Sequence, residues 1–229
     1  LYSELAMFSR AKRNSNEALV FLKKARDLAY KIKDNDAISA LDVKTASLLE
    51  DSGEYAKAIA LLNQSLGQMV ERQDRRGELW AISAIGIVQA KMDDYEGALK
   101  SLEQASKLKA QTGITPARSQ EIDYYLGEIY EGFGDYERAL ESYLQALSMS
   151  ESRGADVLVG RIYDRIGTIY FRTEEYAKAK EFLEEALRTH QETGSLEMKK
   201  MELIRLGDIA SKMNDLEKAL KYQQRAQAL

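Results

Sequence analysis

Residues 161–187 read RIYDRIGTIYFRTEEYAKAKEFLEEAL, and this stretch decides the fold. Its first half carries apolar and small residues at intervals of three or four, at Tyr163, Ile166, Gly167 and Tyr170. Its second half repeats that interval at Tyr176, Ala179, Leu183, Ala186 and Leu187. Such spacing places each set on one face of an α-helix. The stretch therefore predicts two helices folded against each other across the polar residues 173–175.

The same pattern returns along the whole chain. An alanine recurs at separations of 40, 40, 41, 40 and 40 residues, at Ala18, Ala58, Ala98, Ala139, Ala179 and Ala219. A second small residue precedes each of these by 12 positions, at Ala6, Ala46, Gly86, Gly127, Gly167 and Gly207. A fixed period of this length is typical of repeat proteins, in which each unit packs on its neighbours. The sequence thus predicts an all-α solenoid of about six antiparallel helix pairs.

Two sets of glycines have different predicted roles. Glycine inside a helix costs about 1 kcal/mol relative to alanine, so its periodic recurrence indicates close helix packing that compensates for this cost. Gly113, Gly154 and Gly194 instead follow the predicted second helices and are expected to end them in a left-handed conformation.

We expect one continuous array over residues 1–229, with approximate repeats at 1–38, 39–78, 79–118, 119–159, 160–199 and 200–229. The first and last repeats are incomplete, so we expect that the chain was cut from a longer protein. The sequence predicts no polar cap for the outer face of the first repeat, so a homodimer formed through that end is compatible with it.

The composition narrows the class of protein. Hydrophobic residues make up 45% of the 229 residues, the net charge is −4, and no apolar run is long enough to span a bilayer. The chain is therefore not expected to insert into a membrane, and it lacks the basic excess of nucleic-acid-binding proteins. The absence of cysteine suits a cytoplasmic location, although a periplasmic one is also compatible.

Residues that could support catalysis are sparse. With the single histidine, His190, and no cysteine, neither a zinc site with several such ligands nor a cysteine–histidine nucleophile can form. His190 is expected near the end of a second helix. We therefore expect no enzyme activity, no metal site and no cofactor.

The pattern Tyr163-x2-Ile166-Gly167-x2-Tyr170, followed by Ala179, Leu183 and Ala186, resembles a tetratricopeptide repeat. The resemblance implies a right-handed superhelix. The period near 40 exceeds the family's usual value of about 34. Similar long-period arrays occur in bacterial signalling proteins and in Pins-type polarity adaptors, so the resemblance by itself does not select one function.

In this family the first helices line the concave face, which identifies the side chains that could meet a protein or peptide partner. They are Trp80, Ile87, Glu121, Tyr124, Tyr125, Glu128, Glu131, Arg161, Arg165, Phe171, Arg172, Arg205 and Lys212. One interpretation is a groove in which arginines hold carboxylates and aromatic residues receive apolar side chains. The other is structural: Glu121 pairs with Arg161, Glu128 pairs with Arg165, and the aromatic residues, Trp80 included, fill the space between repeats.

The inner-face positions lack the asparagines that relatives use to grip a peptide backbone or terminal carboxylate. The corresponding residues are Met7, Ser47, Ile87, Glu128, Thr168 and Asp208. Binding of chaperone tails or pheromone-type peptides is accordingly disfavoured.

These observations favour a protein-interaction scaffold within a larger bacterial signalling or regulatory protein. The alternative is a sensory input domain that controls an attached output domain through peptide binding or self-association.

Overall fold

The computed structural model describes residues 2–11, 14–115, 119–149 and 156–229. Within these ranges every regular element is an α-helix, which confirms the all-α prediction. The twelve described helices are α1 (Tyr2–Ala11), α2 (Ser15–Ile32), α3 (Asn35–Asp51), α4 (Tyr55–Glu71), α5 (Arg75–Lys91), α6 (Tyr95–Thr112), α7 (Ser119–Gly132), α8 (Tyr136–Ser148), α9 (Val157–Arg172), α10 (Tyr176–Glu192), α11 (Leu196–Lys212) and α12 (Leu216–Gln227).

The chain forms two compact units, Leu1–Ile122 and Asp123–Leu229. In the first unit each helix from α1 to α6 packs on the next, and α3 also packs on α5. In the second unit α8 to α12 pack in the same sequential manner. The division of the chain into six repeats at the bounds given above stays a prediction.

The two helices of a pair run antiparallel, as contacts between α9 and α10 show. Gly167 near the end of α9 lies against Leu183, and Gly160 near its start lies against His190 in the last turn of α10. Earlier residues of α9 thus contact later residues of α10, which is the contact pattern of antiparallel helices.

Helix glycines provide the space for this packing. A methyl group placed on Gly127 would lie 2.5 Å from the Tyr143 ring, and one on Gly86 or Gly167 would lie 2.7 Å from Leu102 or Leu183. The predicted close approach is therefore confirmed at these three glycines. Gly207 has more room, because its nearest such contact is 3.5 Å.

The helix ends follow simple local chemistry. Seven of the described helices begin after an aspartate or asparagine whose side chain accepts a backbone N–H of the first turn. Gly113 and Gly194 follow α6 and α10 with φ of 68° and 76°, as predicted. Gly154 lies outside the described residues.

Each unit has an apolar core built from the repeated small and aliphatic positions. Ala58, Leu62 and Met69 are fully buried in the first unit, and Ala179, Leu183 and Leu203 are buried in the second. None of the helices in the described residues has both the length and the apolar character needed to cross a membrane.

A buried ion pair joins three helices of the first unit. Asp42 on α3 is 1% exposed and lies 2.5 Å from Arg26 Nε on α2. Its other oxygen accepts a hydrogen bond from Ser65 on α4 at 2.6 Å. One carboxylate therefore ties α2, α3 and α4 together.

Candidate protein-interaction site

A row of arginines on α9 faces α7 within the second unit. Arg161 donates to the hydroxyl of Tyr124 at 2.7 Å and lies 3.7 Å from Glu128. Arg165, one turn further along, donates to the same glutamate at 2.9 Å. The predicted Glu128–Arg165 pair is thus present, and it shares its carboxylate with a neighbouring guanidinium.

A second carboxylate extends the row. Glu131 lies 3.5 Å from Arg172 and 3.9 Å from Arg165, and it accepts a hydrogen bond from Tyr143 at 3.0 Å. Three arginines of α9 therefore share two glutamates of α7 in a network that we call the α7–α9 network: Tyr124, Glu128, Glu131, Tyr143, Arg161, Arg165 and Arg172.

Tyr124 holds the buried end of this network. Its ring has no exposed surface, and its hydroxyl donates to Glu128 at 2.6 Å. Burial and the neighbouring carboxylate raise the pKa of Tyr124, so its hydroxyl stays protonated at physiological pH. The Arg161 guanidinium also stacks on the Tyr124 ring, 4.9 Å from its centre.

The sequence-predicted residues differ in their exposure. Arg172 and Lys212 are exposed. Ile87, Tyr124 and Glu131 are buried. The remaining ones are half-buried: Trp80, Glu121, Tyr125, Glu128, Arg161, Arg165, Phe171 and Arg205. In this conformation Ile87 and Tyr124 pack within their units, whereas the arginine side chains of the α7–α9 network reach solvent.

Only two of the candidate residues lie on α5 of the first unit, and neither joins the α7–α9 network. Trp80 lies under the Arg76 guanidinium, 4.7 Å from the cation to the ring centre. Ile87 has no exposed surface.

A small cavity opens beside Phe171 on the second unit. Its volume is about 100 Å³, and it is lined by Thr168, Phe171, Leu183, Arg205 and Asp208. Arg205 also forms an ion pair with Asp164 of α9. The cavity therefore combines the apolar side chains of Phe171 and Leu183 with two charged side chains from α11.

Sequence reasoning missed the polar residues behind Arg205. His190 and Glu202 are both fully buried, and His190 Nε2 lies 3.9 Å from Glu202 Oε1. His190 was expected only as a polar residue in the last turn of its helix, and Glu202 lies in a charged stretch that resembles a solvated surface. The forty-residue period does contain a signal for the burial of Glu202, which stands in phase with the buried residues Leu41, Ala81, Ile122 and Ile162.

Comparisons with known proteins agree with this architecture. Two family models described as tetratricopeptide repeat match residues 119–192 and 203–229. Residues 119–192 and 203–229 therefore match tetratricopeptide repeats, and the closely packed helix pair around Gly86 has the same kind of glycine contact as the pairs around Gly127 and Gly167.

A sequence relative is Protein KINESIN LIGHT CHAIN-RELATED 3 of Arabidopsis thaliana. It is 28% identical over 166 residues, which are 70% of this chain and 24% of the relative. The chain spans about a quarter of the length of the curated relatives that it matches.

Two solved structures have the same fold. BtubC (BKLC) from P. vanneervenii has a TM-score of 0.76 and 22% identity, and the match covers 95% of this chain and 89% of that protein. A Signal Transduction ATPase with Numerous Domains (STAND) protein with a tetratricopeptide repeat sensor, from Pyrococcus horikoshii, has a TM-score of 0.74 and 20% identity. That match covers 98% of this chain and 34% of the STAND protein.

Proposed function

We propose that this chain is a non-enzymatic scaffold that binds a segment of a partner protein on the face formed by α7, α9 and α11 of its second unit. Tetratricopeptide repeats form protein-interaction scaffolds, and the observation that selects this face is the α7–α9 network. In the contacts that the structure describes, its three arginines share Glu128 and Glu131, so each of these carboxylates serves more than one guanidinium group.

The exposure of these arginines supports exchange with an incoming carboxylate. The side chains of Arg161, Arg165 and Arg172 are 43%, 39% and 51% exposed. Because each guanidinium group keeps exposed surface, an aspartate or glutamate of a partner can bind it and share it with Glu128 or Glu131. Guanidinium groups also bind carboxylates with two parallel hydrogen bonds. The partner segment is therefore acidic.

Aromatic side chains supply apolar contacts on the same unit. Phe171 is half-buried and lines the cavity beside Arg205. Tyr125 is half-buried on α7, with its ring packed edge-on against Tyr124 at 5.3 Å. The segment that binds here would thus combine acidic residues with one or more apolar side chains.

Charge reversal tests this proposal. The 229-residue chain serves as bait for partners from the source cell, and a captured protein is then measured against purified variants. Arg161→Glu with Arg165→Glu should reduce its affinity at least tenfold, because two guanidinium contacts become repulsive. Arg188→Glu on α10 is the matched control: this exposed arginine pairs only locally with Glu185 and Glu192 in the described residues and should leave affinity unchanged.

A second variant separates binding from folding. Glu128→Arg with Arg165→Glu keeps an ion pair between α7 and α9 but reverses its direction, so helicity should persist while binding is lost. Normal binding by both double variants would contradict the proposed face.

A second candidate is a sensory input domain in a larger regulatory protein. The STAND protein supports it, since nearly all of this chain matches one third of a protein that is described as having a tetratricopeptide repeat sensor. Such a domain would change its self-association when a partner binds. Light scattering on the isolated chain, with and without the captured protein, distinguishes this candidate: a change in the number of copies favours it, and an unchanged one-to-one complex favours the scaffold.

A further inference from the structure

The most unusual side chains of the second unit are His190 on α10 and Glu202 on α11. Both are 0% exposed, and in the described part of the chain neither imidazole nitrogen and neither carboxylate oxygen has a hydrogen-bond partner. Buried polar groups without partners each cost about 1–3 kcal/mol, so they are uncommon in folded proteins. A role beyond packing would account for their presence.

The position of the imidazole is fixed by α9. A methyl group on Gly160 would lie 2.5 Å from His190 Cε1 and 2.8 Å from its Nδ1. The ring therefore rests directly on the α9 backbone and faces Glu202 across a gap of 3.9 Å. The pair lies where α9, α10 and α11 meet.

Charged groups approach this pair from several helices. Asp164 of α9 forms an ion pair with Arg205 of α11, and Arg205 Nη1 also lies 3.8 Å from Glu202 Oε2. Glu131 of α7 acts on Arg205 electrostatically. Arg205 is thus within reach of two carboxylates, one on α9 and one on its own helix.

The helix α12 also packs on α11, and its described charged residues contact groups other than Glu202. On α12, Lys218 pairs with Asp215, Tyr222 donates to Glu184 of α10 at 3.1 Å, and Arg225 lies over the Tyr222 ring. The contacts that bear on Glu202 in the described residues are therefore those of His190 and Arg205.

Burial determines where the proton of the pair resides. It raises the pKa of Glu202 to about 8 and lowers the pKa of His190. At neutral pH the pair therefore holds one proton, carried by Glu202, and has no net charge. Of the two carboxylates that the structure describes within ion-pair distance of Arg205, those of Asp164 and Glu202, the one on Glu202 is then neutral.

We propose that Glu202 is a proton-controlled latch for Arg205: the protonated carboxyl leaves Arg205 on Asp164, and loss of the proton to solvent draws Arg205 onto Glu202. No covalent bond changes, because the proton leaves to the buffer and the guanidinium moves by a few ångströms to the new carboxylate. The 3.8 Å separation makes this exchange possible without movement of the helix backbone.

The latch has a consequence for the candidate interaction site. Arg205 lines the cavity with Thr168, Phe171, Leu183 and Asp208, so its transfer from Asp164 to Glu202 changes one wall of that cavity. This consequence for partner binding rests on the proposed function, whereas the latch itself does not.

The first test is the pH dependence of urea unfolding of the 229-residue chain, with the ordinary pKa values of 4.5 for Glu202 and 6.5 for His190 describing the unfolded state. A raised folded-state pKa gives stability that is complete below the unfolded value and is lost as pH rises through the folded value. Below pH 6.5, wherever the folded His190 is neutral, both states hold one proton, on Glu202 when folded and on His190 when unfolded, so this pair adds no slope there.

Above pH 6.5 only the folded state keeps that proton. Its contribution then increases the unfolding constant by roughly 30-fold in total as pH rises from below 6.5 to above 8, and about eightfold of this falls between pH 6.5 and 8. Glu202→Gln, which mimics the protonated carboxyl, should abolish this increase. His190→Gln should start the increase near pH 4.5, because its unfolded state no longer holds the compensating proton.

Glu197→Gln is the control, since this glutamate is exposed on the same helix and should keep the wild-type profile. A purely structural role would change stability by the same amount at every pH. The latch would be overturned if His190→Gln kept the wild-type profile, or if a folded Glu202→Gln did so.

The second test follows Arg205 directly. In the wild type the ¹⁵N resonance of its Nε, assigned with Arg205→Lys, should titrate with a midpoint near pH 8, and Glu202→Gln should remove the titration. No change across that range in the wild type would disprove the movement of Arg205. If both tests succeed while the arginine double variants still bind the partner, the latch stands and only the proposed binding face fails.

Discussion

Gly127 allows the Tyr143 ring to pack against the backbone of α7. A methyl group there would approach three ring atoms to 2.5–2.9 Å, and Tyr143 cannot retreat easily because it is fully buried and donates to Glu131. Gly127→Ala should therefore lower the free energy of unfolding by about 1–3 kcal/mol despite the better helix propensity of alanine.

Gly132 in the last position of α7 provides the matched control. Nothing lies within 4 Å of a methyl group placed there, so Gly132→Ala should leave the unfolding free energy unchanged or slightly raised. Urea titrations monitored by circular dichroism measure both variants. Equal effects of the two substitutions would contradict the packing role of Gly127.

Predictions for single residues were correct at positions where the same type of residue recurs with the repeat period. The small residues at 86, 127 and 167 were identified as packing sites because they recur in phase, and the structure bears this out. The same register assigned Ile87 and Tyr124 to a partner-facing surface, yet both are fully buried. The repeat period alone predicts on which face of its helix a residue lies. The size of the neighbouring side chains determines how much of that face is exposed to solvent.

In the first unit, Asp42 is a buried carboxylate that contacts both α2 and α4. Asp42→Ala would leave Arg26 without its carboxylate and Ser65 without its acceptor, so the free energy of unfolding should fall by about 2–3 kcal/mol. Asp27→Ala on α2 is the comparison, because this aspartate is exposed and its loss should cost less than about 0.5 kcal/mol. Chemical denaturation of both variants measures the difference, and a loss at Asp42 no larger than that at Asp27 would show that the three helices do not depend on this carboxylate.

The sequence predicted the helices well and their polar contacts only in part. Alternation of apolar faces with short polar turns was enough to locate the helix pairs, and the Glu128–Arg165 contact followed from their register. The ties at Asp42 and at His190–Glu202 depend on which charged residues tertiary packing buries. The register places Asp42 and Glu202 in phase with the buried residues Ile82 and Ile162, but it does not specify which side chains of neighbouring helices these carboxylates meet.

At the scale of the whole chain, repeat proteins transmit damage mainly to adjacent repeats, because each repeat packs only on its neighbours. Leu62→Ala removes a fully buried side chain from the core of the first unit, at a cost of about 2–5 kcal/mol. Hydrogen exchange should accelerate in α3, α4 and α5, while α10 to α12 remain close to wild type.

Leu203→Ala in the core of the second unit provides the reciprocal case. It should accelerate exchange in α10 to α12 and spare α3 to α5. Exchange measured by mass spectrometry on peptides from both units compares the two variants. Uniform acceleration along the chain in both would show that the array unfolds as one cooperative block.

The three tight glycine contacts also bear on how such a chain can diversify. Three residues, Leu102, Tyr143 and Leu183, each lie 16 residues after the glycine on which they pack. In each pair, a large side chain of the second helix therefore packs where the first helix has no side chain. A recombination event that cut between the two helices would separate the members of this pair, whereas a cut in the turn after the second helix would keep them together. Exchange of whole helix pairs would therefore preserve these contacts, whereas exchange of single helices would not.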